Sequence, residues 1–448
     1  MSLVYTQYGA LRGKRKDGCI TYFGVPYAQP PVGDLRWKAP QPLQPWTGER
    51  EAFEFPHRAW QMVQEPPVDG KGINYAREFY SNPAFMPPMD EDCLYLNIWR
   101  PLTGEKLPVA FWIHGGALIN GFGSELEFDG EAFARKGVIL VTINYRLGAF
   151  GFLCHPELAK EDPNGRCGNY GIFDQIAALK WVKENIAAFG GDPDKITIFG
   201  QSAGAMSVQT LLSSPLSRDM MAGAIMQSAG GYQAGVLKDR TMEEAMEQGH
   251  LFSKLTGANT LEEMRALPPE KIMQAVTVMM AEGFRTGSGL PFTAVIDGYL
   301  MEKGYDQVVE DGECPDIPYM IGSCGNDLGQ TLEMTMRGGH SQLYYGCINW
   351  SLKNAELGRT PAYVYYFDRK LLGDYSGAFH SAELWYVFNT LSRSWRPKSQ
   401  ADYRLAEQIN SYWVNFIKTG NPNGEDLPYW KPCSWDSHHV QLLDVDNA

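Results

Sequence analysis

The run Lys195-Ile196-Thr197-Ile198-Phe199-Gly200-Gln201-Ser202-Ala203-Gly204-Ala205-Met206 sets a serine inside G-x-S-x-G, behind β-rich sequence and ahead of helix-forming sequence. That order describes a strand, a sharp turn and a helix. Glycines on both sides of Ser202 let strand and helix approach closely and leave the hydroxyl exposed. A helix starting there points the positive end of its dipole at the same spot, favouring negative charge that develops during acyl transfer. Taken alone, the segment also fits a structural strand–turn–helix, so the rest of the chemistry has to be sought elsewhere in the chain.

Three further pieces answer to that chemistry. Leu107-Pro108-Val109-Ala110-Phe111-Trp112-Ile113 is a continuous apolar run of buried-strand type that ends in His114-Gly115-Gly116-Ala117. Backbone N–H groups on such a turn can converge on an oxyanion without intervening side chains. Tyr319-Met320-Ile321-Gly322 reads as a short strand running into the polar loop that holds Asp327, and Ala362 to Phe367 as another, followed by a loop holding His380. Ser202, Asp327 and His380 thus follow the chain order nucleophile, acid, base, with acid and base beyond strand C-termini, where open α/β sheets carry functional loops. Of the eight histidines, His114 belongs to the glycine turn, His57, His155, His250 and His340 lack a strand–loop context, and His438 and His439 sit in a polar tail. His380 is left as the base. For the acid, Asp297, Asp316, Asp368 and Asp374 also lie near strand ends, and Asp327 is preferred.

With these residues in view, the chain resembles the type B carboxylesterases, the cholinesterase-like branch of the α/β-hydrolases, close to the bacterial para-nitrobenzyl-esterase type. Tyr22-Phe23-Gly24-Val25-Pro26-Tyr27-Ala28 with Pro31 to Trp37 is similar to the family's N-terminal signature, and Glu91-Asp92-Cys93-Leu94-Tyr95-Leu96-Asn97-Ile98 to its second. Asn144 to Gly148, Gly168 to Gly171, Asp174-Gln175, Phe189 to Pro193, Met226-Gln227-Ser228 and Phe379-His380-Ser381-Ala382-Glu383-Leu384 extend the likeness over nearly the whole chain. The resemblance implies an α/β-hydrolase fold, with a large, mostly parallel central sheet flanked by helices. It implies Ser202 as nucleophile, His380 as base then acid, Asp327 as the orienting carboxylate, and the N–H groups of Gly116, Ala117 and Ala203 as oxyanion donors. It makes Arg36 a structural partner of Glu91 or Asp92.

Four departures from the family pattern stand out. Asp327 replaces the usual Glu, so its loop must sit closer to His380. Gln201 replaces the usual Glu before the serine, removing a buried charge without touching the triad. Ala117 replaces a third glycine, keeping its N–H while its methyl narrows the alcohol side of the pocket. The stretch between Asp327 and His380 is shorter than in typical members, which implies a reduced helical roof and a more open acyl pocket. Tyr344, Tyr345 and Trp350 lie in that stretch and are candidates for pocket lining.

Composition is compatible with this reading. Signatures running from Tyr22 to His380 favour one α/β domain over residues 1–448, although the length alone would allow two or three. A net charge of −13 and the absence of a basic stripe argue against nucleic acid or an anionic membrane surface as partner. No long apolar run or leader-like N-terminus is present, which points to a soluble, cytoplasmic protein. The eight cysteines include no C-x-x-C pair, and Cys93 lacks the upstream partner that secreted relatives have, as expected in a reducing compartment. The expected chemistry is two-step ester hydrolysis through an acyl-enzyme on Ser202, with no metal or organic cofactor and a small-molecule ester as the only partner. A monomer is compatible with it. The competing readings are a non-catalytic cholinesterase-like interaction module, tested by retention of the triad, and a lipase for longer-chain glycerides, tested by activation on emulsions.

Overall fold

In the computed structural model, which describes residues 2–66 and 72–445, twelve strands join into one sheet. In chain order they are β1 (Ser2–Thr6), β2 (Gly9–Arg15), β3 (Cys19–Pro26), β4 (Glu49–Glu51), β5 (Tyr95–Pro101), β6 (Leu107–Ile113), β7 (Ile139–Ile143), β8 (Gly191–Gln201), β9 (Gly223–Gln227), β10 (Tyr319–Cys324), β11 (Tyr363–Phe367) and β12 (Gln441–Leu443). Across the sheet the order is β1-β2-β3-β5-β7-β6-β8-β9-β10-β11-β12, with β4 on β2. The neighbours from β1 to β7 pair antiparallel, and those from β7 through β12 pair parallel. This is the large, mostly parallel sheet of the α/β-hydrolase fold.

The parallel strands are nearly continuous apolar runs because helices cover both faces. Alternation sorts their side chains. Val109, Phe111 and Ile113 of β6 join Ile139 and Val141 of β7 and Ile196 and Ile198 of β8 in one core, with Leu179 and Val182 of helix Tyr170–Asn185 and Val208 and Leu211 of helix Ala203–Ser213. Ala110, Trp112, Leu140 and Phe199 point the other way, onto Leu405, Ile409 and Trp413 of helix Gln400–Thr419. That last helix starts on a reciprocal cap between Ser399 and Asp402 and stops at Gly420, whose positive φ of 75° suits glycine.

Buried ion pairs tie the connections to this frame. Arg36 is paired with both oxygens of Glu91, not with Asp92, and its Nη1 donates to the carbonyls of Leu267 at 2.7 Å and Arg265 at 3.0 Å. Arg146 meets Asp174 of helix Tyr170–Asn185 through Nε at 2.8 Å and Nη2 at 2.7 Å. All eight cysteines are buried free thiols. Among the described residues, no helix is long and apolar enough to cross a membrane.

Candidate active site

β8 lies between β6 and β9 and ends at Gln201, so Ser202 emerges at the C-terminal edge of the sheet's parallel half. The turn is tight: a Cβ on Gly204 would lie 2.0 Å from the Ile113 carbonyl oxygen, and one on Gly200 would lie 2.5 Å from the backbone of Gly204. Neither position can hold a larger residue without moving β6 or the helix. Ser202 itself takes φ 56° and ψ −127°, a costly conformation for an L-residue, and its N–H is held at 2.8 Å by the Gln227 carbonyl. The strain lifts the hydroxyl off the strand end.

His380 comes from the loop after β11 and Asp327 from the loop after β10. Asn326 sews these loops together: its N–H donates to the Ala378 carbonyl at 2.8 Å, and its Oδ1 accepts the Ala378 N–H at 3.2 Å. His380 Nδ1 is 2.6 Å from Asp327 Oδ1, and His380 Nε2 is 2.7 Å from Ser202 Oγ. Asp327 also accepts the N–H groups of Cys324 at 2.6 Å and Leu328 at 2.8 Å. A carboxylate held this way accepts the hydrogen bond of Nδ1–H and leaves the Nε2 lone pair facing the serine. Burial pulls the imidazolium of His380 down, but Asp327 and, farther off, Glu383 outweigh it, so its pKa stands above the ordinary value. The other acids are engaged elsewhere or at the surface. Asp374 is paired with Arg396, Asp297 holds Asn169 and the turn at Tyr299, Asp368 lies beside His340, and Asp316 is exposed.

The glycine turn after β6 leans on the elbow. A Cβ on Gly115 would come within 3.2 Å of Ser202 Cβ. Gly116 at φ 99° and Ala117 at φ 54° reverse the chain, and the Gly116 carbonyl accepts the N–H groups of Ile119 and Asn120, each at 3.0 Å. Among the described residues, nothing accepts the N–H of Gly116 or Ala117. Ala203 opens its helix, where an N–H has no intrahelical acceptor. His114 is stacked on Tyr145 at 4.4 Å, and burial lowers its pKa to about 4, so it is a neutral prop of the turn.

The aromatic residues of the shortened stretch divide. Trp350 is 1 % exposed and packs edge-on against Tyr319 of β10, 5.2 Å between centroids. It belongs to the core and does not line a pocket, because helix Gln342–Glu356 turns that face to the sheet. Tyr344 stacks on His340 at 3.9 Å and stands edge-on to Tyr366, whose hydroxyl donates to the Gly325 carbonyl of the acid loop at 3.4 Å. Tyr345 is half exposed beside it.

Glu383 and Tyr75 make contacts at the site that the sequence reading did not assign, and Gln201, which it singled out, lies beside the imidazole. Glu383 is fully buried and accepts from the Cys324 thiol at 2.9 Å and from Gln227 Nε2 at 3.3 Å, and burial raises its pKa. Its place three residues after His380 was the available signal. Tyr75 donates from its hydroxyl to the His380 carbonyl at 3.1 Å. Gln201 Nε2 lies 3.4 Å from His380 Nε2.

Comparison with known proteins gives the family. The chain matches the carboxylesterase family over residues 1–344 and 339–448. It is 33 % identical to the para-nitrobenzyl esterase of Bacillus subtilis (strain 168), covering 99 % of this chain and 94 % of that protein, and 32 % identical to the fumonisin B1 esterase of Sphingopyxis macrogoltabida, covering 95 % and 83 %. Among solved structures it superposes on a thermophilic PNB esterase with a TM-score of 0.86 at 30 % identity, over 99 % of this chain and 96 % of that one. A carboxylesterase of Geobacillus stearothermophilus gives 0.82 at 31 %, with the same coverage.

Proposed function

The chain belongs to the carboxylesterase family and cleaves carboxylic esters as a serine hydrolase, and from that premise we infer that Ser202 is its nucleophile, His380 its base and Asp327 the acid that orients His380. The observation that carries this reading is the bridge formed by one imidazole, 2.7 Å from Ser202 Oγ and 2.6 Å from Asp327 Oδ1. His380 takes the serine proton as Oγ attacks the ester carbonyl, and the oxyanion forms against the N–H groups of Gly116, Ala117 and Ala203. The alcohol leaves with the proton from His380. Water repeats the sequence on the acyl-enzyme and releases the acid.

The substrates we propose are simple alkyl and aryl esters, with Tyr344 and Tyr345 on the rim of the acyl side. The reading further takes residues 1–448 as one domain, working as a cytoplasmic monomer. Its test is hydrolysis of p-nitrophenyl acetate by the native chain beside Ser202→Ala, His380→Ala and Asp327→Asn, with an organophosphate label located by mass spectrometry. The label is expected on Ser202, with turnover falling by about four orders of magnitude or more in each variant. A label on another residue, or an Asp327→Asn enzyme as fast as the native one, would overturn the assignment.

A further inference from the structure

Two carboxyl groups that the chemistry above does not use lie buried behind the oxyanion turn. Glu125 is 5 % exposed and Glu127 1 % exposed, and their side chains are hydrogen-bonded to each other, which requires a proton between them. The donors around them are unequally shared. Glu125 Oε1 accepts the Phe122 N–H at 2.9 Å and the Tyr80 hydroxyl at 3.2 Å. Glu127 accepts its own backbone N–H, and among the described residues its Oε2 is buried without a hydrogen-bond partner. A buried ionised carboxylate is stabilised by donors and costly without them, so the charge belongs on Glu125 and the proton on Glu127.

The anionic member is wired to the turn. The Tyr80 hydroxyl that donates to Glu125 accepts from Asn120 Nδ2 at 3.3 Å, and the Asn120 N–H closes the turn on the Gly116 carbonyl at 3.0 Å. Phe122, held by the same carboxylate, lies two residues farther on. We propose that Glu127 is the protonated member, hydrogen-bonding through its O–H to Glu125, and that this acid–carboxylate pair is a positioning device for the oxyanion turn. The proposal rests on the reading of Gly116 and Ala117 as oxyanion donors.

Other charged and titratable groups face the pair. The Arg58 guanidinium lies 5.3 Å from the Phe122 ring centroid, with its Nε buried and without a partner among the described residues, and favours the single negative charge on Glu125. Tyr80 and Tyr145 are kept protonated by burial, and Glu78 is engaged by Arg396. Burial pushes both carboxyls up, Glu127 farther, because the charge on Glu125 adds to the opposition. The sign follows: the shared proton is held below the pair's pKa and lost as pH rises through it, leaving two adjacent buried anions that must separate, and the turn with them.

The experiment measures kcat/KM on p-nitrophenyl butyrate from about pH 6 to about pH 10 for the native chain, Glu127→Gln and Glu127→Ala, with thermal unfolding over the same range. Glu127→Gln supplies a permanent donor, so it is expected to match the native rate at neutral pH and to lose the alkaline fall in rate and in melting temperature. Glu127→Ala is expected to lose about tenfold in kcat with little change in KM. An alkaline limb unchanged in Glu127→Gln, or Glu127→Ala as fast as native, would overturn the proposal. Infrared difference spectroscopy of native against Glu127→Gln adds a readout independent of turnover. The buried carboxylic-acid carbonyl band is expected in the native spectrum alone, and its absence there would overturn the proposal even if Ser202 proves the nucleophile. If Ser202 proves not to be the nucleophile, that band and the unfolding profile still decide the protonation of Glu127.

Discussion

Gln201 stands beside Ser202 and is the residue through which the pH behaviour of the site can be tuned. Its amide nitrogen lies 3.4 Å from the His380 nitrogen that we propose accepts the serine proton, and it brings no charge. The imidazole therefore feels chiefly Asp327, with Glu383 behind, and its pKa is already held above the ordinary 6.5. A base works only when unprotonated, so activity rises as pH climbs through that raised value, and the acid limb of the kcat/KM profile is expected above the position of a free histidine. Gln201→Glu keeps the shape and adds a carboxylate at the same point. It should favour the imidazolium and move the acid limb upward by about one pH unit, with a modest effect on the plateau. A limb that stays in place or moves down would mean that the added carboxyl is neutral or that His380 is not the titrating base.

At the scale of elements, the sheet was legible because its strands carry local signals. The runs that became β6, β8, β10 and β11 are each followed at once by a glycine turn, an elbow or a polar loop, so the proposed reacting residues could be picked out from neighbouring sequence. What holds those loops was not legible, because its partners are far apart in the chain. Glu78, on helix Tyr75–Phe79, accepts Trp385 Nε1, Trp395 Nε1 and Arg396 Nε, each at 2.8 Å and each more than three hundred positions away. Nothing near Glu78 in sequence marks it as buried. Trp350 shows the opposite difficulty: an aromatic residue on a helix is recognisable, but which face turns to the sheet depends on packing not written beside it. The hub fixes the segment that follows His380, and Tyr75, three residues from Glu78, bonds the His380 carbonyl. Glu78→Gln removes the charge facing buried Arg396 and replaces one acceptor oxygen by a donor. It should cost about 2–4 kcal/mol, read as a lower urea midpoint with an unchanged slope, and Tyr75→Phe only about 1 kcal/mol. Equal midpoints for Glu78→Gln and the native chain would show that Asp374, the other partner of Arg396, suffices.

At the scale of the molecule, the division of labour is between a rigid sheet packed on both faces and a thin cover beside the acid loop. Between Asp327 and β11 the cover consists of helix Leu332–Met336, which has no buried residue, and helix Gln342–Glu356, whose Trp350 faces inward. Leu332 is 76 % and Met336 79 % exposed, so these side chains wall nothing off. A bulky acyl group would thus meet solvent and a pliable rim, where a deep roof would present packed side chains that must clash. Each extra methylene in a closed pocket shifts discrimination by one or two orders of magnitude, and an open one lacks that lever. Acetyl, butyryl, octanoyl and benzoyl esters of p-nitrophenol are therefore expected to fall within about tenfold of one another in kcat/KM. A steep drop beyond butyryl would instead place a closed wall on the acyl side, to be sought at the Tyr344–Tyr345 edge. Emulsified long-chain glycerides give the complementary case. The apolar side chains of the short helix are already exposed in this state, so among the described residues this helix is not a closed lid for an oil surface to open, and the rate should show no jump as droplets form.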